Sequence, residues 1–186
     1  PLLLAGCYLP SQFQAQVRIA RNGHYWLDYD GNLTWVPLYE DIRYNRITPD
    51  EERDTVAVLR RDLGRDSAFE SIAYQDTGTF RVSYRKEGNL LKSGMTTFVR
   101  RNAKIFTITE QGGRVTVEGV SLTDREEERL ANVNFQARGT LVVATTARVI
   151  ESNADATTER DNGVTTLTWQ IQSLAGPAPR ARLQLP

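Results

Sequence analysis

Few side chains in this sequence could perform covalent or acid–base chemistry. Histidine and cysteine each occur once among the 186 residues, as His24 and Cys7. A Ser-His-Asp triad needs its histidine held between a nucleophile and a carboxylate. His24 instead directly follows Asn22-Gly23, a dipeptide typical of a two-residue hairpin turn. We therefore expect His24 to have a packing or surface role, and we predict no catalytic residue.

Carboxylates are the remaining candidates for acid–base chemistry. Asp28 and Asp30 flank Tyr29, and a pair of acids is what a glycosidase uses to cleave a glycosidic bond. Alternation along a strand places both acids on one solvent-facing side, so solvated charges beside a turn are the favoured interpretation. A carboxylate-dependent hydrolase using Asp28 and Asp30 is the least favoured functional hypothesis.

The sequence predicts no metal and no bound cofactor. Zinc sites take several Cys and His ligands, and this sequence has one of each. The acids Asp155, Glu159 and Asp161 share a polar segment, but their spacing does not follow a calcium-binding loop.

The densest basic cluster is Arg100-Arg101-Asn102-Ala103-Lys104. Arg100, Arg101 and Lys104 could contact lipid head groups or an acidic partner. The favoured alternative is a charged hairpin end that prevents pairing at a sheet edge. The 23 basic and 23 acidic residues give a formal net charge of zero, so no global field favours nucleic acid, and no nucleic-acid partner is predicted.

Aromatic residues form the other candidate set. Tyr25, Trp35 and Trp169 could line an apolar pocket between a curved sheet and the first predicted helix. The favoured alternative is that they fill the core, as aromatic residues in strands usually do. The wider set with the same two alternatives also contains Trp26, Tyr29, Tyr39 and Tyr44.

The single cysteine lies in an apolar stretch, PLLLAGCYLP. Leu4-Ala5-Gly6-Cys7 resembles the lipobox of bacterial lipoproteins, in which an aliphatic residue, a small residue and Gly or Ala precede the cysteine. The resemblance implies that residues 1–6 are the end of a signal peptide. It also implies that Cys7 carries a diacylglyceryl group and further acylation, since a single acyl chain gives only marginal membrane binding.

The residues after Cys7 are then expected to form a short tether, Tyr8 to Gln12, which completes a 7–12 anchoring segment. Tyr8 rather than Asp follows the cysteine, and by family resemblance this favours the outer membrane. The alternative for the whole stretch is a buried apolar strand with an inert cysteine, because buried Cys is common.

The elements that follow are mostly strands. Phe13, Ala15, Val17 and Ile19 alternate with polar residues, as in a half-buried strand. Asn22-Gly23 and Asp30-Gly31 predict two turns and hence a three-stranded meander. Later strands are predicted in AFESIAYQD, TFRVSYRKEG, TFVRRN, KIFTITE, RVTVEGV and GVTTLTWQI, with TLVVATTARVI as one long central strand and ARLQL as a short edge strand.

Two helices are predicted from their capping boxes. Thr48 and Glu51 can cap each other, Pro49 suits the first helical position, and an apolar stripe continues to Leu63. Gly64 is expected to end this helix in a left-handed conformation. Thr123 and Glu126 predict a second short helix over about 124–132.

This pattern of strands with two interrupting helices predicts one α+β domain over residues 13–186, built on an antiparallel, strand-rich curved sheet. The closing segment from Thr140 to Trp169 is a strand, a turn around Asn153 and Asn162-Gly163, and a strand ending in Trp169. Together with the lipobox, it resembles the LppM-type lipoprotein domain of mycobacteria. The resemblance implies an α+β envelope domain with an affinity for lipids or glycolipids, and it carries over no catalytic residue.

The leading hypothesis is therefore a non-enzymatic bacterial envelope lipoprotein. Cys7 would anchor it, and a periplasm-facing domain would bind an apolar ligand or a protein partner. The alternative is a structural accessory subunit docked on a larger membrane complex through a sheet edge or an aromatic patch.

Overall fold

The computed structural model describes residues 8–100, 103–120 and 122–186. These residues form twelve strands and four helices, which confirms the α+β class. None of the helices within them is long and apolar enough to cross a membrane. The elements in chain order are β1 (Tyr8–Ile19), β2 (His24–Trp35), α1 (Val36–Arg43), α2 (Pro49–Leu63), β3 (Phe69–Asp76), β4 (Thr79–Asn89), α3 (Leu90–Ser93), β5 (Met95–Arg100), β6 (Ala103–Gln111), β7 (Arg114–Gly119), α4 (Asp124–Asn132), β8 (Gly139–Thr145), β9 (Arg148–Ser152), β10 (Ala156–Glu159), β11 (Thr165–Ile171) and β12 (Arg180–Gln184).

The strands form two sheets rather than one. The larger sheet has seven strands in the order β10-β11-β8-β1-β2-β4-β3, and the smaller has five in the order β5-β6-β7-β12-β9. Among these strands β1 and β8 pair in parallel, and the other neighbours are antiparallel. The expectation of a mainly antiparallel architecture is confirmed, with two sheets instead of one.

The two sheets face each other across a common apolar core. Phe98 of the smaller sheet is fully buried, and its ring lies 4.5 Å from that of Tyr29 and 4.8 Å from that of Tyr84, both on the larger sheet. Alternate residues of β1 and β2 point into this core. The period-two pattern predicted for β1 therefore corresponds to one buried face, as a half-buried strand requires.

Four predictions about where strands begin, end or lie need correction. Asp30-Gly31 is not a turn, because β2 continues through it to Trp35. The segment TLVVATTARVI is not one strand, because the chain leaves the larger sheet after Thr145 and enters the smaller sheet as β9. The segment ARLQL is not at an edge, because β12 pairs with both β7 and β9. Tyr8 to Gln12 is not a tether, because it is the first part of β1.

The two predicted helices are present, and each has a complete capping box. Thr48 and Glu51 cap α2, and Thr123 and Glu126 cap α4. Leu59 and Leu63 of α2 pack into the common core. Gly64 ends α2 with a right-handed φ of −65°, so the predicted left-handed stop is wrong.

Helix α4 is fastened to α1, a helix that the sequence analysis did not predict. Glu40 of α1 is 5% exposed, and both of its carboxylate oxygens accept hydrogen bonds from the guanidinium of Arg129 on α4. These bonds raise the pKa of Arg129. A buried carboxylate needs such a partner, because an unpaired charge would be strongly destabilising there.

Candidate functional site

An apolar cleft opens between the two sheets and is the candidate functional site. Phe13, Ala15 and Tyr29 line it from the larger sheet, and Ile105 and Phe106 line it from the smaller one. Residues 173–174 and 176–179 also contribute to its wall, from the segment that joins β11 to β12. Its volume is about 60 Å³. A largely apolar wall suits an apolar occupant.

Phe13 enters the cleft because β1 is irregular just before it. Gln12 has a positive φ of 49°, and the pairing of β1 with β2 shifts between Ser11 and Gln14, which is a β-bulge. Such a bulge redirects the side chains that follow it. The Phe13 ring is stacked on that of Tyr29, with centroids 5.7 Å apart.

Glycines on both neighbouring strands make room for Phe13. A Cβ atom added to Gly31 of β2 would lie 2.4 Å from the Phe13 Cβ, and one added to Gly139 of β8 would lie 2.4 Å from the Phe13 Cδ1. Glycine inside a strand commonly marks such a close approach. Gly31 is therefore required for packing rather than for a turn.

Tyr29 supplies the hydroxyl beside the cleft, and this hydroxyl is already paired. It donates a 2.7 Å hydrogen bond to the backbone carbonyl of Asn32. Burial raises the pKa of Tyr29 well above its ordinary value, so the hydroxyl stays protonated at neutral pH. Tyr29 therefore presents mainly its ring to an occupant.

Residues 172–179, here called the cleft loop, close one side of the cleft. The far end of this loop is held firmly: Asn153 donates to the carbonyl of Ala178 at 2.8 Å, and Gly119 donates to that of Pro179 at 2.8 Å. Asn153 also accepts from the indole of Trp169 at 2.9 Å. The loop is thus fixed at its carboxyl end by the core of the closing segment.

A second depression, here called the α4 groove, lies on the other side of the cleft loop. Its floor includes Leu130, Phe135 and Leu174, and its volume is about 540 Å³. Asp124, Glu127, Glu128 and Arg138 supply the charged side chains around it. Ser173 and Leu174 line both the α4 groove and the cleft, so the two cavities are neighbours.

Comparison with known proteins adds a neighbour in fold. No family model matches the sequence, and no curated protein matches it. The chain is similar to a mycobacterial lipoprotein domain. The NMR structure of the folded domain of LppM from Mycobacterium tuberculosis shares 12% sequence identity with it, at a TM-score of 0.47, over 96% of this chain and 91% of that one. This is the type of domain that the closing segment was expected to resemble.

The structure does not bring the three predicted pocket aromatics together. Tyr25 is buried and its hydroxyl donates to Thr96 at 3.1 Å, whereas the ring of Trp35 lies 4.8 Å from that of Tyr8. Trp169 is buried and bonded to Asn153, and none of the three lines the cleft. The alternative that they pack in the core describes Tyr25 and Trp169, and Trp35 is partly buried against the same core.

Asp28 and Asp30 lie on the exposed face of β2 and are paired with arginines. Asp28 accepts from Arg85 at 2.8 Å and lies 3.5 Å from Arg18, and Asp30 accepts from Arg81. The bond to Asp28 is the main cause that raises the pKa of Arg85. Asp30 borders a shallow groove that Asp28 does not line, so the two acids do not share a site there.

The remaining candidates lie outside the cleft or outside the described residues. The His24 ring packs on Trp26 at 4.3 Å. Cys7 and Arg101 fall outside the described residues, while Arg100 ends β5 and Lys104 lies near the start of β6. In the ranges that the structure covers, no group of three or more His, Cys, Asp or Glu side chains is arranged to hold a metal ion.

Phe13 and the cleft loop are the parts of the site that the sequence analysis missed. The alternating pattern of β1 predicts that Phe13 lies on the core face of a strand, and it gives no sign of a cavity. The sequence does contain a local cue for the loop, since Gly176-Pro177 and Pro179 interrupt any regular element. The loop lines the cleft together with residues more than 30 positions away, such as Ile105 and Phe106. The residues of the loop alone therefore do not reveal what it covers.

Proposed function

We propose that this protein is a non-enzymatic lipoprotein of the bacterial cell envelope, which is anchored through Cys7 and binds an apolar ligand in the cleft. The observation that carries the proposal is the position of the cleft relative to the lipobox-like residues. Pro10 lines the cleft and lies three positions after Cys7. Because one residue spans at most about 3.6 Å of chain, Cys7 lies within roughly 11 Å of Pro10.

The early start of β1 supports this arrangement. Tyr8 is 4% exposed and Leu9 is 2% exposed, so β1 is already packed at its first two residues, which directly follow Cys7 in the sequence. A lipid on Cys7 would then hold the amino-terminal end of β1 against the membrane surface. The cleft would lie close to the head groups, where an apolar ligand could enter without crossing much water.

The anchor is tested by metabolic labelling with radioactive palmitate in a bacterial host. The wild-type chain should incorporate label, and Cys7→Ser should lose essentially all of it, because the thiol is the acceptor of the lipid. Ser11→Ala, four residues further on, is the matched control and should label normally. Equal labelling of Cys7→Ser and the wild type would contradict the anchor.

The ligand is sought by native mass spectrometry of the protein extracted from its own membrane. An apolar ligand should appear as a non-covalent adduct on the wild type. Ile171→Trp adds bulk to a residue that lines the cleft, and it should reduce the adduct at least about fivefold, because the wall then occupies the space of the ligand. Ile150→Trp on the exposed face of β9 is the control, and an adduct that persists in Ile171→Trp would exclude the cleft.

A protein partner is the second candidate, and one surface favours it. Leu91 is 54% exposed and Met95 is 36% exposed, and they are close in sequence where α3 leads into β5, an edge strand of the smaller sheet. Exposed apolar residues beside a strand that ends its sheet, among the strands described, suit strand addition by another protein. The same mass spectra would report such a partner as a larger complex.

A further inference from the structure

We infer that the cleft and the α4 groove are two parts of one site, which takes an amphiphile with a single alkyl chain and a positively charged head. The chain would occupy the cleft and the head would lie in the α4 groove. Leu174, which stands between the two cavities, would move aside. This inference rests on the proposed function, because it specifies the ligand of the same cleft.

The volumes show why the two cavities must join. The cleft holds only about 60 Å³. Ligand sites are usually about 300 to 1,000 Å³. The α4 groove, at about 540 Å³, lies within that range and touches the cleft at Ser173 and Leu174. A chain of several methylenes fits only if the boundary between them opens.

The first part of the cleft loop is suited to moving. Between residues 172 and 177 the described hydrogen bonds consist of one local bond, from the backbone N–H of Ala175 to the Ser173 hydroxyl. Gly176 has a φ of +98°, which is a conformation open mainly to glycine and places a flexible joint before Pro177. The bonds of Asn153 and Gly119 hold the loop only from Ala178 onward.

Leu174 is held by apolar contacts alone, and these are ones that an alkyl chain can replace. It packs against the small cluster of Leu9, Val36 and Leu130, at the junction of β1, α1 and α4. Exchange of one apolar neighbour for another costs little, because hydrophobic contacts are not directional. Leu9 is two residues from Cys7, so this boundary also lies at the anchored end of the domain.

Charge selects the head group. Asp124, Glu127 and Glu128 border the α4 groove, and the cation that lines it with them is Arg138. None of the three acids forms an ion pair with a residue that the structure describes. A groove with this excess of negative charge attracts a cation and repels an anion.

The chain is tested first, by calorimetric titration of the full-length Cys7→Ser protein with alkyltrimethylammonium ions below their micelle concentrations. If the cavities join, affinity should rise about fourfold for each methylene added from octyl to dodecyl, which corresponds to roughly 0.8 kcal/mol per buried methylene. An affinity that stops rising at octyl would show that the cleft stays closed, and it would overturn the inference.

The head group is tested by comparing dodecyltrimethylammonium with dodecyl sulfate. The cation should bind at least about fivefold more tightly, and Glu127→Lys should abolish this preference, because it reverses one of the three groove charges. Glu87→Lys makes the same change of charge on an exposed residue of β4 and should leave the preference intact. Equal effects of the two substitutions would contradict a role for the groove.

The outcomes separate this inference from the proposed function. Suppose that dodecyl sulfate binds as tightly as dodecyltrimethylammonium and that Ile171→Trp blocks the binding of both. The cleft then still takes an apolar ligand, but the inferred head group is wrong. If no dodecyl probe binds and no adduct is seen on the membrane-extracted protein, the cleft has no ligand, and the ligand-binding part of the proposed function falls together with this inference.

Discussion

At Phe13, two neighbouring strands approach β1 with glycine at the point of contact. This arrangement shapes the cleft, because the bulge at Gln12 turns the ring inward and the glycines leave space for it. The approach at Gly31 involves the backbone as well: an added Cβ would lie 2.7 Å from the Phe13 Cα. Rotation of the Phe13 side chain alone therefore cannot relieve the clash.

We accordingly predict that Gly31→Ala destabilises the protein by about 1–3 kcal/mol, the usual cost of overpacking a well-packed core. Urea denaturation followed by tryptophan fluorescence measures the change. Gly64→Ala is the matched control, because Gly64 already has a right-handed φ of −65° and Ala should change stability by no more than about 0.5 kcal/mol. Similar midpoints for Gly31→Ala and the wild type would show that the contact is not close in solution.

At the scale of one element, α2 depends on its capping box. The backbone N–H and the hydroxyl of Thr48 donate to the Glu51 carboxylate at 2.9 Å and 2.8 Å, and the Glu51 N–H donates back to the Thr48 hydroxyl. Two hydrogen bonds lower the pKa of Glu51 below its usual 4.5. The bond from the Thr48 backbone has the larger effect, and the bond from the Thr48 side chain has the second largest. Because the folded pKa is depressed, this stabilisation is present above pH 4.5 and is lost as the pH falls through the folded value.

Thr48→Ala should therefore destabilise the protein by about 1 kcal/mol at pH 7, the typical cost of losing a helix cap. The difference from the wild type should shrink as the pH falls below 4.5 and through the lowered folded pKa of Glu51. Thermal denaturation at pH 7 and at pH 3 measures this. Thr55→Ala removes an exposed hydroxyl that bonds within α2, and its effect should be smaller and independent of pH across this range.

These elements also show which parts of the fold can be predicted from the sequence. Both capping boxes and the Asn22-Gly23 hairpin were predicted correctly, because the residues that decide them lie within four positions of each other. Asp30-Gly31 has the composition of a turn, yet it lies inside β2, because what matters there is Phe13 of the neighbouring strand. Local patterns predict the helices and strands, whereas contacts between distant segments decide whether a glycine lies in a turn or inside a packed strand.

The cleft could not have been predicted in the same way. Its walls come from β1, β2, β6, β7, β8, β11 and the cleft loop, which span most of the sequence. Tyr29 belonged to the aromatic set considered from the sequence, but Phe13 did not. Nothing in the alternating pattern of β1 distinguishes a side chain that fills the core from one that borders a gap.

At the scale of the whole molecule, buried and partly buried tyrosines make stability sensitive to alkaline pH. Burial raises the pKa of Tyr74 to about 12. Burial is also the main cause of the raised pKa values of Tyr84 and Tyr29. A raised folded pKa means that the native state keeps the proton longer than the unfolded state. The stabilisation is therefore complete below pH 10 and declines as the pH rises toward the folded values.

We predict that the urea midpoint is constant from pH 8 to pH 9.5 and falls steadily from pH 10 to pH 12. Tyr74→Phe removes the hydroxyl that donates to Glu52, so its midpoint should be lower at pH 8 and fall less steeply above pH 10. Denaturation series at these pH values, with ionic strength held constant, provide the measurement. A slope unchanged by Tyr74→Phe would assign the alkaline transition to other groups.

The central position of β1 has a consequence for the order of events as the chain is made. β1 pairs in parallel with β8, and the Thr145 hydroxyl donates to the carbonyl of Ile19, 126 residues earlier. The smaller sheet likewise needs β12, near the end of the sequence, between β7 and β9. Contacts of such long separation form slowly, because the loop between them must close first. A chain emerging amino terminus first would therefore carry an unpaired β1 edge until β8 had been delivered, and would gain most by folding where aggregation partners are scarce.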